Sequence, residues 1–280
     1  MTQDIGLQII EKAKSLGASL AGITSVELLK NTPSYELHEK ILKGTDGVGP
    51  AQGFSDLSEI KWPDGAKSVV VIGLHHPHEK PELDWYLESG YLPGNEILMK
   101  IKRNLRVWIE ETYDIKTHHV NYWLWEGGMY LKDAAVLSGL GCIGKNNLVI
   151  SPEFGPRVRF RAMLIDAELT PTGPIDFEPC KCCDEYCHKA CGANAFSEIV
   201  ISTDKTGMCN LPGRNGNFSR VKCYTIVAAN DAGITIKNPT EFWGEKKSNK
   251  SVSKKEMGTY KTQKYIMFCI RCIEACPVGN

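Results

Sequence analysis

Several features are missing from this chain of 280 residues, and each absence closes a class of function. Nowhere does the sequence run to about 18 uninterrupted apolar residues, so no membrane-spanning helix and no membrane association are expected. The opening "MTQDIGLQIIEKAKSLGASL" has no basic segment ahead of an apolar run and no twin arginine, which points to a soluble, cytoplasmic protein. Net charge is missing too: 33 Lys and Arg balance 33 Asp and Glu, leaving no global field to gather polyanions, so any such site would be local. There is no internal repeat of solenoid length. The single biased tract, the lysine-rich "GEKKSNKSVSKKEMGTYKTQK", reads as a solvated loop.

What is present suits a folded protein. Hydrophobic residues make up 42% of the chain, enough for one large domain or a medium domain with a small companion. "IGLQIIEKAKSLG" has helical apolar spacing, stops at Gly17 and feeds the short run "SLAGIT". "KSVVVIGLHH" is a β-branched run fit for a buried strand, "NEILMKIKRNLRVWIEETY" a long amphipathic helix, and "NNLVIS" and "VRFRAMLID" two further strands. The alternation predicts an α/β domain over residues 1–170. After "TPTGPIDFEP" the texture turns to Cys, Gly, Asn and Lys, which predicts a smaller domain over 171–280 organised by metal clusters instead of an apolar core.

Cysteine spacing carries the chemistry. Five of the chain's 11 cysteines fall within "CKCCDEYCHKAC", and three more within "CIRCIEACP". In a reducing compartment such groups are metal ligands or catalytic thiols more often than disulfides. Cys180, Cys183, Cys187 and Cys191 give C-x2-C-x3-C-x3-C, and Cys269, Cys272 and Cys276 give C-x2-C-x3-C-P, the tail of a bacterial ferredoxin motif. Pairs of C-x2-C also build zinc sites, but this order of ligands suits two cubane clusters better. In two-cluster ferredoxins the last cysteine of each motif crosses to the other cluster. One 4Fe–4S cluster is therefore expected on Cys180, Cys183, Cys187 and Cys276. The other is expected on Cys191, Cys269, Cys272 and a fourth thiol, Cys223 or Cys209. Cys223 is preferred because "KCYTI" opens a helical segment whose positive end favours thiolate. Cys182 competes with Cys183 for one position.

The segment "LKDAAVLSGLGCIGKNNLVISPEFGPRVRFRAMLID" runs a helix into a turn with glycines at 139, 141 and 144, then into strands. Glycines permit positive φ and let a ligand approach bare backbone. The turn follows a helix where a dinucleotide-binding fingerprint follows a strand, and it is not a P-loop. The segment resembles the core of the superfamily of epoxyqueuosine reductases and reductive dehalogenases. "GLGCIGKN" is closer to the first branch and "SPEFGPRVRF" to the second, while "AKSLGASLAGIT", "AKSVVVIGLHHP" and the double cysteine layout extend the likeness over most of the chain.

The resemblance implies a nitroreductase-like α/β core that binds base-off cobalamin, joined to a ferredoxin-like domain with two 4Fe–4S clusters that feed it electrons. The missing D-x-H-x-x-G motif agrees with base-off binding. The corrinoid would lie on Gly139, Leu140, Gly141, Cys142, Ile143, Gly144, Lys145 and Asn146, with Cys142 also readable as a small buried thiol. The implied activity is an oxidoreductase acting on a small-molecule substrate and reduced by a donor such as ferredoxin or flavodoxin. The aspartate that donates a proton in epoxyqueuosine reductases is not matched in "YWLWEGGMYLKD". Glu126, Tyr122 and Tyr130 are the replacement candidates. The sequence stops four residues after Cys276 and has no C-terminal repeat domain of the kind that helps epoxyqueuosine reductases hold tRNA, so tRNA is not expected as a partner. An electron-transfer or corrinoid-handling protein without its own substrate is the alternative, and a flavin in the same fold a third reading.

Overall fold

The computed structural model describes residues 2–36, 62–86, 92–122, 128–198, 216–219, 222–223, 265–266 and 269–279. In chain order the strands are β1 (Leu20–Ser25), β2 (Ser68–His75), β3 (Trp85–Tyr86), β4 (Thr117–His119), β5 (Cys142–Ile143), β6 (Val149–Ile150), β7 (Val158–Ile165) and β8 (Tyr265–Ile266). The helices are α1 (Thr2–Ser15), α2 (Val26–Lys30), α3 (Pro33–Glu36), α4 (Pro93–Tyr113), α5 (Leu131–Leu137), α6 (Tyr186–Lys189) and α7 (Arg271–Glu274).

The organising element is the expected apolar run. β2 is flanked by β1 and β7 in the order β1-β2-β7-β4, each pair antiparallel, with Val70 opposite Met163 and Leu20 opposite Gly73. Because strand side chains alternate, Val70 and Ile72 face one side and Val69 and Val71 the other, and both sides are buried. On the first side α1 and α4 cover the sheet through Ile9, Leu98, Leu105 and Ile109. On the second, α2 and α5 cover it through Val26, Leu29, Ala134 and Ala135. Each fully buried aliphatic side chain contributes about 1.5–3 kcal/mol, so this three-layer α/β body is held mainly by packing.

Element ends follow local chemistry. The chain leaves α1 at Gly17 with φ 107°, a left-handed conformation that costs glycine little, and turns directly into β1. α4 starts with Pro93 at its first turn and ends at Asp114, which adopts φ 55° and donates its N–H to the Glu110 carbonyl. "NNLVIS" yields only the two-residue strand β6, because Asn147 takes a left-handed φ of 61° and Ser151 folds back to bridge Gly155.

The cysteine-rich region is joined to this body at several points. β8 pairs with β3, Trp85 opposite Ile266. α6 and α7, one in each cysteine run, lie against each other. A Cβ on Gly155 would fall on the Val278 carbonyl, so the glycine of "PEFG" gives room for the backbone that follows Cys276. Among the described residues no helix is long and apolar enough to cross a membrane.

Candidate active site

The described cysteines of the two runs share two cavities, and membership crosses between the runs. Cys180, Cys183, Cys187 and Cys276 line a small cavity with Lys145, Asn146 and Ile150. Cys191, Cys223, Cys269 and Cys272 line a larger one, about 470 Å³. Burial, then the neighbouring thiolates led by Cys180, push the Cys187 thiol up to about 12; burial and thiolates led by Cys223 do the same for Cys272. A metal entering either group must displace protons from such thiols. Among the described residues no three His, Cys, Asp or Glu side chains converge as a single ion requires. Cys182 is exposed and lines a neighbouring depression, whereas Cys183 is half-buried and shares the cavity of Cys187. Cys209 lies outside the described residues.

The turn at 139–146 behaves differently from the expectation at its glycines. Gly139 and Gly141 do adopt positive φ, 75° and 148°, but their freedom serves internal contacts. A Cβ on Gly139 would meet the Thr172 carbonyl, one on Gly141 the Ile150 carbonyl, and one on Gly144 the Ile150 side chain. Leu140, Cys142 and Ile143 are buried, and Cys142 packs with Ile150, Cys180 and Cys276 as a space-filling thiol. At Gly139, Gly141 and Gly144 the space where a side chain would stand is thus taken by the chain itself. Only the end of the turn reaches the cavities. Lys145 Nζ donates to Glu185 Oε1 at 2.8 Å, and Asn146 Nδ2 donates to the Cys272 carbonyl at 3.5 Å. Glu185 also faces His188, whose Nε2 donates to the Lys145 carbonyl at 2.8 Å and whose ring stacks on Phe196 at 4.4 Å.

Opposite the larger thiol group stands a chain the sequence reading missed. His76 Nδ1 lies 3.0 Å from Asp84 Oδ1, which also accepts from Arg159 Nε at 2.9 Å. Burial would raise the Asp84 carboxyl, but the His76 hydrogen bond and the Arg159 charge hold it below its ordinary range. His76 is buried, lines the larger cavity, and its Nε2 has no hydrogen-bond partner among the described residues. The signal was present in "RVRFR": arginines at every second position of a strand share one face, and Arg157 and Arg159 both line the cavity.

The three proton-donor candidates separate. Glu126 lies outside the described residues. Tyr130 packs edge-on against Tyr35, ring centroids 4.8 Å apart, and burial drives its phenol far above the ordinary range. Behind it Asp133 accepts from Thr32 Oγ1 at 2.8 Å, and burial raises this carboxyl to about 6. Tyr122 is 42% exposed and lies over the Arg161 guanidinium, 4.0 Å from ring centroid to Cζ, and hydrogen-bonds to it. Neither tyrosine lines the 470 Å³ cavity.

Comparison with known proteins shows what this chain is similar to. No family model matches the chain. A tetrachloroethene reductive dehalogenase of Desulfitobacterium hafniense is 44% identical over 66 residues, 22% of this chain and 12% of its own length. An epoxyqueuosine reductase of Leadbetterella byssophila is 26% identical over 214 residues, 72% of this chain and 68% of its own. In sequence the chain is similar to both epoxyqueuosine reductases and reductive dehalogenases. In fold it is similar to an epoxyqueuosine reductase solved with an epoxyqueuosine-modified tRNA stem-loop, with TM-score 0.62 and 18% identity over 100% of this chain and 66% of that one. The expectation against tRNA is corrected by this likeness. The part of the fold that this chain shares belongs to a protein solved with tRNA, and where the present sequence stops says nothing about what it holds. The relatives carry the names of reductases, which leaves the substrate-free electron carrier without support.

Proposed function

We propose that this chain is a reductase in which two 4Fe–4S clusters deliver electrons to a base-off cobalamin. In this reading residues 1–170 form a nitroreductase-like domain and 171–280 a ferredoxin-like one. Cys180, Cys183, Cys187 and Cys276 would hold one cluster; Cys191, Cys223, Cys269 and Cys272 would hold the other. The observation that supports it most is the crossing of Cys276 and Cys191 between the two thiol-lined cavities. The donor set fits: four sulfurs in each, on tight loops, with Lys145 beside the first.

The larger cavity also has features that suit a corrinoid. His76 brings a buried Nε2 without a hydrogen-bond partner among the described residues, Arg157 and Arg159 bring donors, and Pro77, Leu148 and Val158 supply apolar wall. Bound there, the corrinoid would supply strongly reducing cobalt chemistry at the substrate. The chain's own residues do the remaining work. The His76–Asp84–Arg159 chain fixes one wall of the cavity. Tyr122 stands outside that cavity, over Arg161 on the same face of β7 as Arg159, and is the proton donor in this reading: its O–H gives a proton to the reduced substrate, the Arg161 guanidinium stabilises the phenolate left behind, and water restores the proton to the exposed ring.

Anaerobically purified protein should contain about eight irons and eight acid-labile sulfides per chain, and stoichiometric zinc with little iron would overturn the reading. Cys223→Ala should fall toward about four irons while Cys209→Ala keeps both clusters. Turnover should be sought first with an epoxyqueuosine-modified tRNA stem-loop and then with halogenated phenols. Tyr122→Phe should lower it by roughly 10²–10⁴ with iron content unchanged.

A further inference from the structure

Behind Tyr122 the sheet buries more positive charge than the described residues around it balance. Lys102 on α4 is 3% exposed and Arg161 on β7 is 6% exposed. Among the described residues Lys102 Nζ finds two long contacts, His119 Nδ1 at 3.4 Å and the Val120 carbonyl at 3.5 Å. Arg161 donates from Nη1 to the Phe160 carbonyl at 2.8 Å, while its buried Nε has no hydrogen-bond partner among the described residues. The other charged group facing Lys102 is Arg106, which donates to Thr117 and is 3.7 Å from Glu110. Burial, then Arg161 and Arg106, pull the Lys102 ammonium down to about 8, and burial with Lys102 and Arg106 lowers His119 as well. Among the described residues no carboxylate pairs with either cation, and two desolvated cations side by side are costly unless an anion joins them.

We propose that Lys102 and Arg161 form a binding site for an oxyanion of the substrate, a phosphate or a carboxylate, beneath the ring of Tyr122. The proposal rests on the reading of Tyr122 as proton donor and adds the substrate class: a molecule carrying an anionic oxygen group close to the bond that is reduced. His119 would accept from Lys102 and hold the ammonium in place, and the Arg161 Nε–H would be directed at the bound oxygen.

The test is titration calorimetry of the cluster-loaded full chain with inorganic phosphate and, separately, with benzoate at constant ionic strength. Thermal unfolding in chloride would be followed alongside. Wild type should bind one of the two anions, and Lys102→Met and Arg161→Met should each bind it at least about tenfold more weakly. Tighter phosphate assigns the site to a phosphorylated or nucleic-acid substrate, and tighter benzoate to a carboxylate. In chloride the Lys102→Met protein should unfold at the same temperature as wild type or higher, because an unbalanced buried charge has been removed. No anion binding by wild type, or equal binding by the variants, would overturn the proposal. So would a Lys102→Met protein that is less stable in chloride or fails to fold, since the countercharge would then lie within the chain. Binding is read without turnover, so its failure would leave the iron and substrate tests of the proposed reductase standing.

Discussion

Around β2 the protein is filled with Val, Ile and Leu on both faces of the sheet; around the cysteine runs the described buried cluster is Cys142, Ile150, Cys180 and Cys276, with Phe177 and Val278 beside it. The first region closes its apolar surface unaided. In the second, helices of only four residues, α6 and α7, carry thiols toward one another, and little apolar area is buried in doing so. Stability of the first is a matter of packing, and stability of the second is linked to whatever binds the thiols. Removing the iron proposed for these thiols is therefore the strongest way to break the comparison. After anaerobic chelation, amides of 180–191 and 271–276 should lose protection from hydrogen exchange by roughly a hundredfold or more, while those of β2 and β7 keep theirs. Equal loss in both regions would mean that the sheet depends on the clusters.

The converse experiment removes packing and leaves the thiols. Leu105 is fully buried on α4, and Leu105→Ala should cost about 2–5 kcal/mol in urea unfolding, with iron content unchanged. A variant that lost iron in proportion to stability would show the two regions to be one cooperative unit.

Much of the sheet body was legible because its signals are local. "KSVVVIGLHH" could only be a buried strand, the spacing of Leu98, Ile101, Leu105 and Ile109 gave a helix face, and Gly17 marked a stop. The candidate site was legible where spacing itself is the chemistry, as in the cysteine runs. It was not legible where partners are far apart in sequence. His76 and Arg159 come to share Asp84 because β2 and β7 pair antiparallel, and Lys102 meets Arg161 because α4 lies across β7. The contacts of the glycines at 139, 141 and 144 were hidden for a related reason. Positive φ was expected, but the carbonyls of Thr172 and Ile150 that fill the space beside Gly139 and Gly141 belong to other segments.

Within the packed region one polar group goes against the pattern, and it gives a smaller, pH-dependent effect. Asp133 is 2% exposed, and burial lifts its carboxyl to about 6 despite hydrogen bonds from Ser34 and Thr32. Unfolded aspartate titrates near about 3.9, so the folded state holds the proton more tightly. The sign follows: this group's contribution is complete below about pH 4 and is lost as pH rises through about 6, a cost of about 3 kcal/mol at most. Asp133→Asn keeps an acceptor for the Thr32 hydroxyl without the charge. Its stability relative to wild type should rise across that window and level off above it. A difference that does not change with pH would mean that the Asp133 charge is not desolvated in the folded protein.

The smallest effect is expected where the two regions meet, at Lys145. Its ammonium is paired with Glu185 at 2.8 Å, and that hydrogen bond raises its pKa first, with the thiolates of Cys180 and Cys183 adding to it. Glu185 is 44% exposed and Lys145 17%, so water screens the pair, and Lys145→Gln should change unfolding stability by only about 0.2–1 kcal/mol. The neighbouring thiolates make the second readout sharper. A cation near a cluster favours its more negative, reduced form, so removing it should lower the reduction potential of the cluster proposed on Cys180, Cys183, Cys187 and Cys276, and leave the other unchanged. Glu185 partly neutralises Lys145, which keeps the shift small, and Glu185→Gln should move the same potential the opposite way. If both variants moved the second cluster equally, Lys145 would be acting on the net charge of the region, and the division of the cysteines into two sets would lose its electrostatic support.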